Sequence, residues 1–99
     1  MGSDWYVSMI DYRIRHLEKS NRSPDIVFDR MEVVFNLMKE CVFYFPSVFI
    51  QNYEIWKRMM AKYILGSRVH PRREYSNFAR DEIDFLVDEA RDILEGRKQ

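Results

Sequence analysis

Six cationic side chains and no acidic one fall between positions 57 and 73: Lys57, Arg58, Lys62, Arg68, Arg72 and Arg73. His70 lies among them, and Tyr75 and Arg80 follow just beyond. Ammonium and guanidinium groups at this density are the residue types that grip phosphates, and a tyrosine beside them offers a ring on which a base can stack. These nine residues are the candidate nucleic-acid-binding site of the chain. Against that reading stands the charge balance, sixteen Lys and Arg against sixteen Asp and Glu for a formal net charge of +0. Dedicated nucleic-acid binders carry a basic excess over the whole domain. The compensating acids are close at hand, because residues 74–99 hold four basic and eight acidic side chains. Neutralisation of the basic stretch by this acidic segment is the favoured expectation.

Other chemistries find less material. Metal binding needs several converging donors, yet His16 and His70 are isolated and Cys41 is the single cysteine. No helical segment carries the Glu-x-x-His spacing of di-iron bundles. Asp81, Glu82, Asp84, Asp88, Glu89 and Asp92 contain the carboxylates that paired acid–base catalysis would use, but on an amphipathic helix such a set reads as a solvated outer face. There is no Gly-x-Ser-x-Gly, no phosphate-cradling glycine loop, and Cys41 sits in a hydrophobic run where burial makes a thiol inert. The expectation is a protein that is not an enzyme, uses no cofactor or metal and takes no small-molecule substrate. One cysteine, no apolar run near the roughly 18 residues a membrane span needs, and no basic-then-apolar leader pattern give cytoplasmic as the expected location and no membrane partner.

Large side chains are the second resource. Apolar residues make up 46% of the chain and aromatics 15%, enough for a packed core in a small domain. In a bundle of four short helices the surplus is expected either to be covered by the bundle's own packing or to stay exposed or be buried by a partner, two expectations of equal weight. Trp5, Met9 and Tyr12 form a stripe beside the main apolar face of the first helical segment, and Phe78 and Phe85, seven residues apart, fall near the acidic side of the last. These five are the candidate protein interface.

The elements that must position these groups follow from periodicity. With 99 residues the chain holds a single domain, residues 1–99. Apolar residues recur at helical spacing four times with no run of strand alternation between them, so the expected fold class is all-α: a small antiparallel bundle of about four helices. The first is expected from about Asp4 to Lys19, with Ser3 as cap and Tyr6, Ile10, Ile14 and Leu17 inward. Ser23, Pro24 and Asp25 give the second a cap, a first-turn proline and an acid at the positive end of the dipole. Val27, Met31, Val34, Met38, Cys41 and Val42 form its main stripe. Ile26, Val33, Leu37 and Tyr44, with Phe28 and Phe35, widen that stripe beyond half the circumference, which predicts a central, mostly buried helix.

Pro46 is expected to break the chain after about Phe45, and Ser47 to cap a third helix reaching Leu65, with Phe49, Tyr53, Trp56, Met60 and Tyr63 inward. Gly66 then suits a left-handed C-cap, and Lys62 the negative end of the dipole. A connection from Ser67 to Ser76 leads to Asn77 as cap of the fourth helix, whose inner face is Ala79, Ile83, Leu86, Ala90, Ile93 and Leu94, with Gly96 as its stop. Together these readings predict a helical protein-interaction module, a homo-oligomer or a partner-protein binder, with nucleic-acid binding through residues 57–80 as the alternative.

Overall fold

The computed structural model describes the backbone of residues 2–19, 24–66 and 73–96, and the side chains of these except 24, 25, 28, 62–66 and 73–79. Four α-helices account for nearly all of it: α1 (Ser3–Glu18), α2 (Pro24–Tyr44), α3 (Pro46–Gly66) and α4 (Arg73–Leu94). The described residues contain no strand. The all-α bundle expected from periodicity is the fold observed.

Helix ends show how local chemistry sets these limits. α1 begins one residue earlier than the Ser3 cap predicts: Gly2 is the cap, in an extended conformation (φ −78°, ψ 165°) and without a side-chain hydrogen bond. The Trp5 N–H donates to the Gly2 carbonyl at 3.1 Å instead. Asp4 in the first turn and Arg15 and His16 in the last complement the helix dipole. The expected cap at Ser23 lies outside the described residues.

Between α2 and α3 a single residue, Phe45, makes the corner. Pro46 does not precede the third helix, as the Ser47 cap would require; it is the first residue of that helix, where a missing N–H costs nothing and the fixed φ is already helical. The Phe45 N–H donates to the Cys41 carbonyl at 2.7 Å, and the Phe49 N–H to the Phe45 carbonyl at 3.1 Å. The hydrogen-bond ladders of both helices therefore meet at one residue, while the proline ring prevents a straight continuation. α3 extends through Gly66, one turn-forming residue further than expected, so its final turn carries no basic residue. The side chain of Lys62 is outside the described residues.

The largest departure from expectation is the start of α4. It begins at Arg73, four residues before the Asn77 cap, so Ser76 and Asn77 are helical. Each costs only roughly 0.5 kcal/mol relative to a better helix former. The longer helix, 22 residues, matches the 21 of α3, the helix with which it makes the most extensive contact in the bundle, and that packing outweighs a local cap. At its other end Gly96 adopts φ +74° and its N–H donates to the Ile93 carbonyl at 3.2 Å, the left-handed stop that glycine makes cheaply.

Contacts along the helices give the topology. Tyr6, near the start of α1, donates its hydroxyl to Glu40 near the end of α2 at 3.1 Å, so these two helices run antiparallel. Trp56 in mid-α3 donates its indole N–H to Asp11 in mid-α1 at 2.5 Å, so α3 leaves the Phe45 corner in the direction of α1. Six residues link α3 to α4, so Gly66 and Arg73 are at most about 25 Å apart. A helix of this length spans about 32 Å, so α4 must return antiparallel to α3. Around the bundle the order is α1, α2, α4, α3, with α1 and α4 on the long diagonal.

One continuous core joins all four helices. Tyr6, Ile10, Ile14 and Leu17 are buried as the α1 spacing predicts, and so is the main α2 stripe from Val27 to Val42. Phe49, Trp56 and Met60 are buried on α3, with Tyr53 half-buried, and Ile83, Leu86, Val87 and Ala90 are buried on α4. Cys41 is fully enclosed, and burial pushes its thiol up to about 11. Two inward assignments fail. Leu94, at the last turn of α4, is exposed, and α2 is not the all-round buried helix its composition suggests: Ile26, Val33 and Tyr44 are exposed and Leu37 is half-buried.

Candidate protein-interaction face

The exposed side of α2 has a regular pattern. Ile26, Val33 and Tyr44 are 38%, 41% and 61% exposed, and with Arg30, Leu37 and Glu40 they alternate at spacings of four and three residues. Apolar side chains at that spacing line one seam of a helix. The buried stripe of the same helix, centred on Val34 and Met38, points about a third of a turn away. α2 thus carries, beside its core face, a second apolar line that is exposed at Ile26, Val33 and Tyr44 and half-buried at Leu37, which also packs against the core.

Side-chain contacts tie this seam to α1 at both ends. At the corner end, Trp5 packs edge-on against Tyr6 with ring centroids 4.9 Å apart, and Tyr6 stacks on Tyr44 at 6.5 Å. Phe43 meets Tyr44 at 5.0 Å and is the most exposed of the large apolar side chains, at 71%. Burial and the Glu40 carboxylate hold the Tyr6 hydroxyl above its ordinary value, so it remains a donor to Glu40 throughout the neutral range. At the other end a cleft of about 320 Å³ opens between the helices, lined by Tyr12, Arg13, His16, Leu17 and Arg30. Tyr12 and His16 lie nearly parallel across its lip, 6.1 Å between ring centroids. The Nε atom of Arg13 is buried with no hydrogen-bond partner among the described residues.

The interface residues expected from sequence divide between two places. Trp5, Met9 and Tyr12 belong to this face: Trp5 and Tyr12 are exposed and Met9 is half-buried. Phe85 is 52% exposed, but on α4, which lies diagonally across the bundle from α1, so the fold does not bring it to the same surface. Phe78 is outside the described side chains. Phe43 and Tyr44 were not singled out as surface groups by sequence. Their signal is the uninterrupted run from Cys41 to Phe45, because five consecutive apolar residues point all round a helix and cannot share one buried side.

Of the basic stretch, Lys57, Arg58 and Arg80 have described side chains. Lys57 lies over the Tyr53 ring, 5.2 Å from its centroid. Hydrogen bonding to Tyr53 raises its pKa, and the nearby Tyr53, Asp84 and Glu54 charges act in the same direction. Arg58 bonds the Glu54 carbonyl of its own helix at 3.4 Å, and Arg80 is exposed. Lys62, Arg68, His70, Arg72, Arg73 and Tyr75 fall outside the described side chains. On the acidic helix Asp81, Asp84 and Asp88 are exposed as expected. Glu82 is not a solvated carboxylate: it is largely covered and paired with Lys39 of α2. Among the described residues no cluster of His, Cys, Asp or Glu could hold a metal, and no helix is long and apolar enough to cross a membrane.

Compared with protein-family models, curated proteins and solved structures, the chain matches none.

Proposed function

We propose that the protein is a non-enzymatic helical interaction module that self-associates or docks on a partner protein through the face shared by α1 and α2. One observation carries this reading. Of the nine large apolar side chains exposed among the described residues, Trp5, Tyr12, Ile26, Val33, Phe43 and Tyr44 lie on these two helices. Ile55, Phe85 and Leu94 are scattered over the other two. Single exposed apolar residues are ordinary, whereas a contiguous apolar face marks an association surface. Its composition fits too, because aromatic and arginine side chains are the residues that dominate protein–protein binding. Of the basic stretch, Lys57 is held over the Tyr53 ring of its own helix, which supports a role for that cation within the fold.

A mobility-shift assay with random duplex DNA, single-stranded DNA and RNA across a salt series separates this reading from nucleic-acid binding. The protein-module reading predicts no retention even at low salt. Retention that weakens steeply with salt, and is abolished by changing Arg68, Arg72 and Arg73 together to Ala, would overturn it, since phosphate contacts release counterions as they form.

A further inference from the structure

Resting on that reading, we propose that the occupant of the face is a second copy of this chain, with the two α2 helices packed antiparallel about a two-fold axis beside Phe35. The ground is the symmetry of the exposed seam. In an antiparallel pair related by a two-fold axis, a residue faces the one equally far on the other side of the centre. Ile26 and Tyr44 stand nine residues to either side of Phe35, Arg30 and Glu40 five, and Val33 and Leu37 two. Every apolar residue of the seam therefore meets an apolar residue. Its only two charged residues, of opposite sign, meet each other, and the two-fold makes that ion pair twice.

The alternatives are penalised by the same residues. A parallel pair would set Arg30 against Arg30 and Glu40 against Glu40, and like charges within a helical seam oppose association. A one-heptad slip of the antiparallel pair sets Glu40 against Leu37 or Arg30 against Val33, which buries that charge unpaired, and carries the other charge past the end of the partner helix. The spacing of four and three residues is that of knobs-into-holes packing, so the seams interdigitate along about 27 Å of helix. Trp5, Met9 and Tyr12 flank the seam and add apolar surface at its edge.

The cleft gives the ion pair a site. Arg30 lines it together with Arg13, whose buried Nε has no hydrogen-bond partner among the described residues. In the symmetric pair the carboxylate of Glu40 from the second copy arrives at the mouth of this cleft. Glu40 gives one oxygen to the Tyr6 hydroxyl of its own chain and keeps the other for the arginines across the axis.

Charge reversal tests this register. Sedimentation equilibrium should show a monomer–dimer equilibrium for the wild-type chain. R30E and E40R should each weaken dimerisation about tenfold or more, because each sets like charges face to face at two places. The double variant R30E/E40R, which restores opposite charges across the axis, should recover dimerisation to near the wild-type level. Circular dichroism of each variant checks that the helices are retained.

If E40R fails to fold for want of its Tyr6 contact, crosslinking gives the answer without it. A short thiol-to-thiol crosslinker should join chains carrying Ile26→Cys to chains carrying Tyr44→Cys, and neither variant to itself, because identical positions lie about 27 Å apart along the paired helices. Cys41 is buried and does not compete. A double variant no better than the singles, or crosslinking of Ile26→Cys to itself, overturns the antiparallel register. A wild-type chain that stays monomeric up to about 1 mM overturns the second copy as occupant. The shift assay decides separately whether the protein-module reading itself stands.

Discussion

Replacing Trp56 by Ala is expected to destabilise the protein by about 3–5 kcal/mol, the range for removing a large aromatic from a close-packed core. The ring is 1% exposed, packs on Phe49 with centroids 5.7 Å apart, and is the largest side chain fully enclosed by the bundle. It also links α3 to α1, since its indole N–H donates to Asp11. A domain of this size is stable by roughly 5–15 kcal/mol in all, so the variant loses a large part of its margin. Its melting temperature should fall by on the order of 12 °C or more, with an unchanged denaturant slope because the same surface is exposed on unfolding. Asp11→Ala isolates the polar part. It leaves the ring in place with an unpaired buried N–H, and about 1–3 kcal/mol is expected. A Trp56→Ala loss below about 1 kcal/mol would mean that the α1–α3 contact does not hold the bundle together.

Met38→Ala is expected to cost about 2–5 kcal/mol, because Met38 is 2% exposed at the centre of the buried α2 stripe. Cys41, one turn further along, reports on the same packing without a mutation. Its thiol is fully buried and is held up to about 11, so native-state labelling by a thiol reagent near pH 8 should be slow and should accelerate only in denaturant. Rapid labelling together with a near-neutral Met38→Ala would turn the helix over, placing outward the stripe assigned inward. The inner and outer faces of α2 are assigned together, so this result would also remove the basis for its exposed seam.

Much of this architecture is legible in the sequence because helix stops are chemically explicit. Pro46, Gly96 and the inward spacing of Tyr6, Ile10, Ile14 and Leu17 each have one mechanism, and each acts locally. The start of α4 is not legible in the same way. Asn77 is a sound local cap, but the gain from packing α4 against α3 is a tertiary quantity that no window around Asn77 contains. The role of α2 is obscured for a related reason. Its apolar circumference exceeds half a turn, and periodicity alone cannot tell a helix buried in its own core from one with a core face and an association face. Ile26 and Val33 look like Val34 until the neighbouring helices are placed. Phe85 shows the converse. It is exposed, as its spacing on the acidic side suggests, yet the order of helices around the bundle separates it from Trp5 and Tyr12, and that order is not written in any single helix.

The face shared by α1 and α2 can be located directly by a dilution series in heteronuclear NMR, from about 1 mM to about 1 μM, the range in which weak to moderate association changes occupancy. Self-association through this face predicts concentration-dependent shifts at Ile26, Val33, Leu37 and Tyr44, at the Trp5 indole and at Tyr12, with Ile55 and Phe85 unchanged. Shifts centred on Ile55 or Phe85, or a spectrum that does not change with concentration, would contradict it.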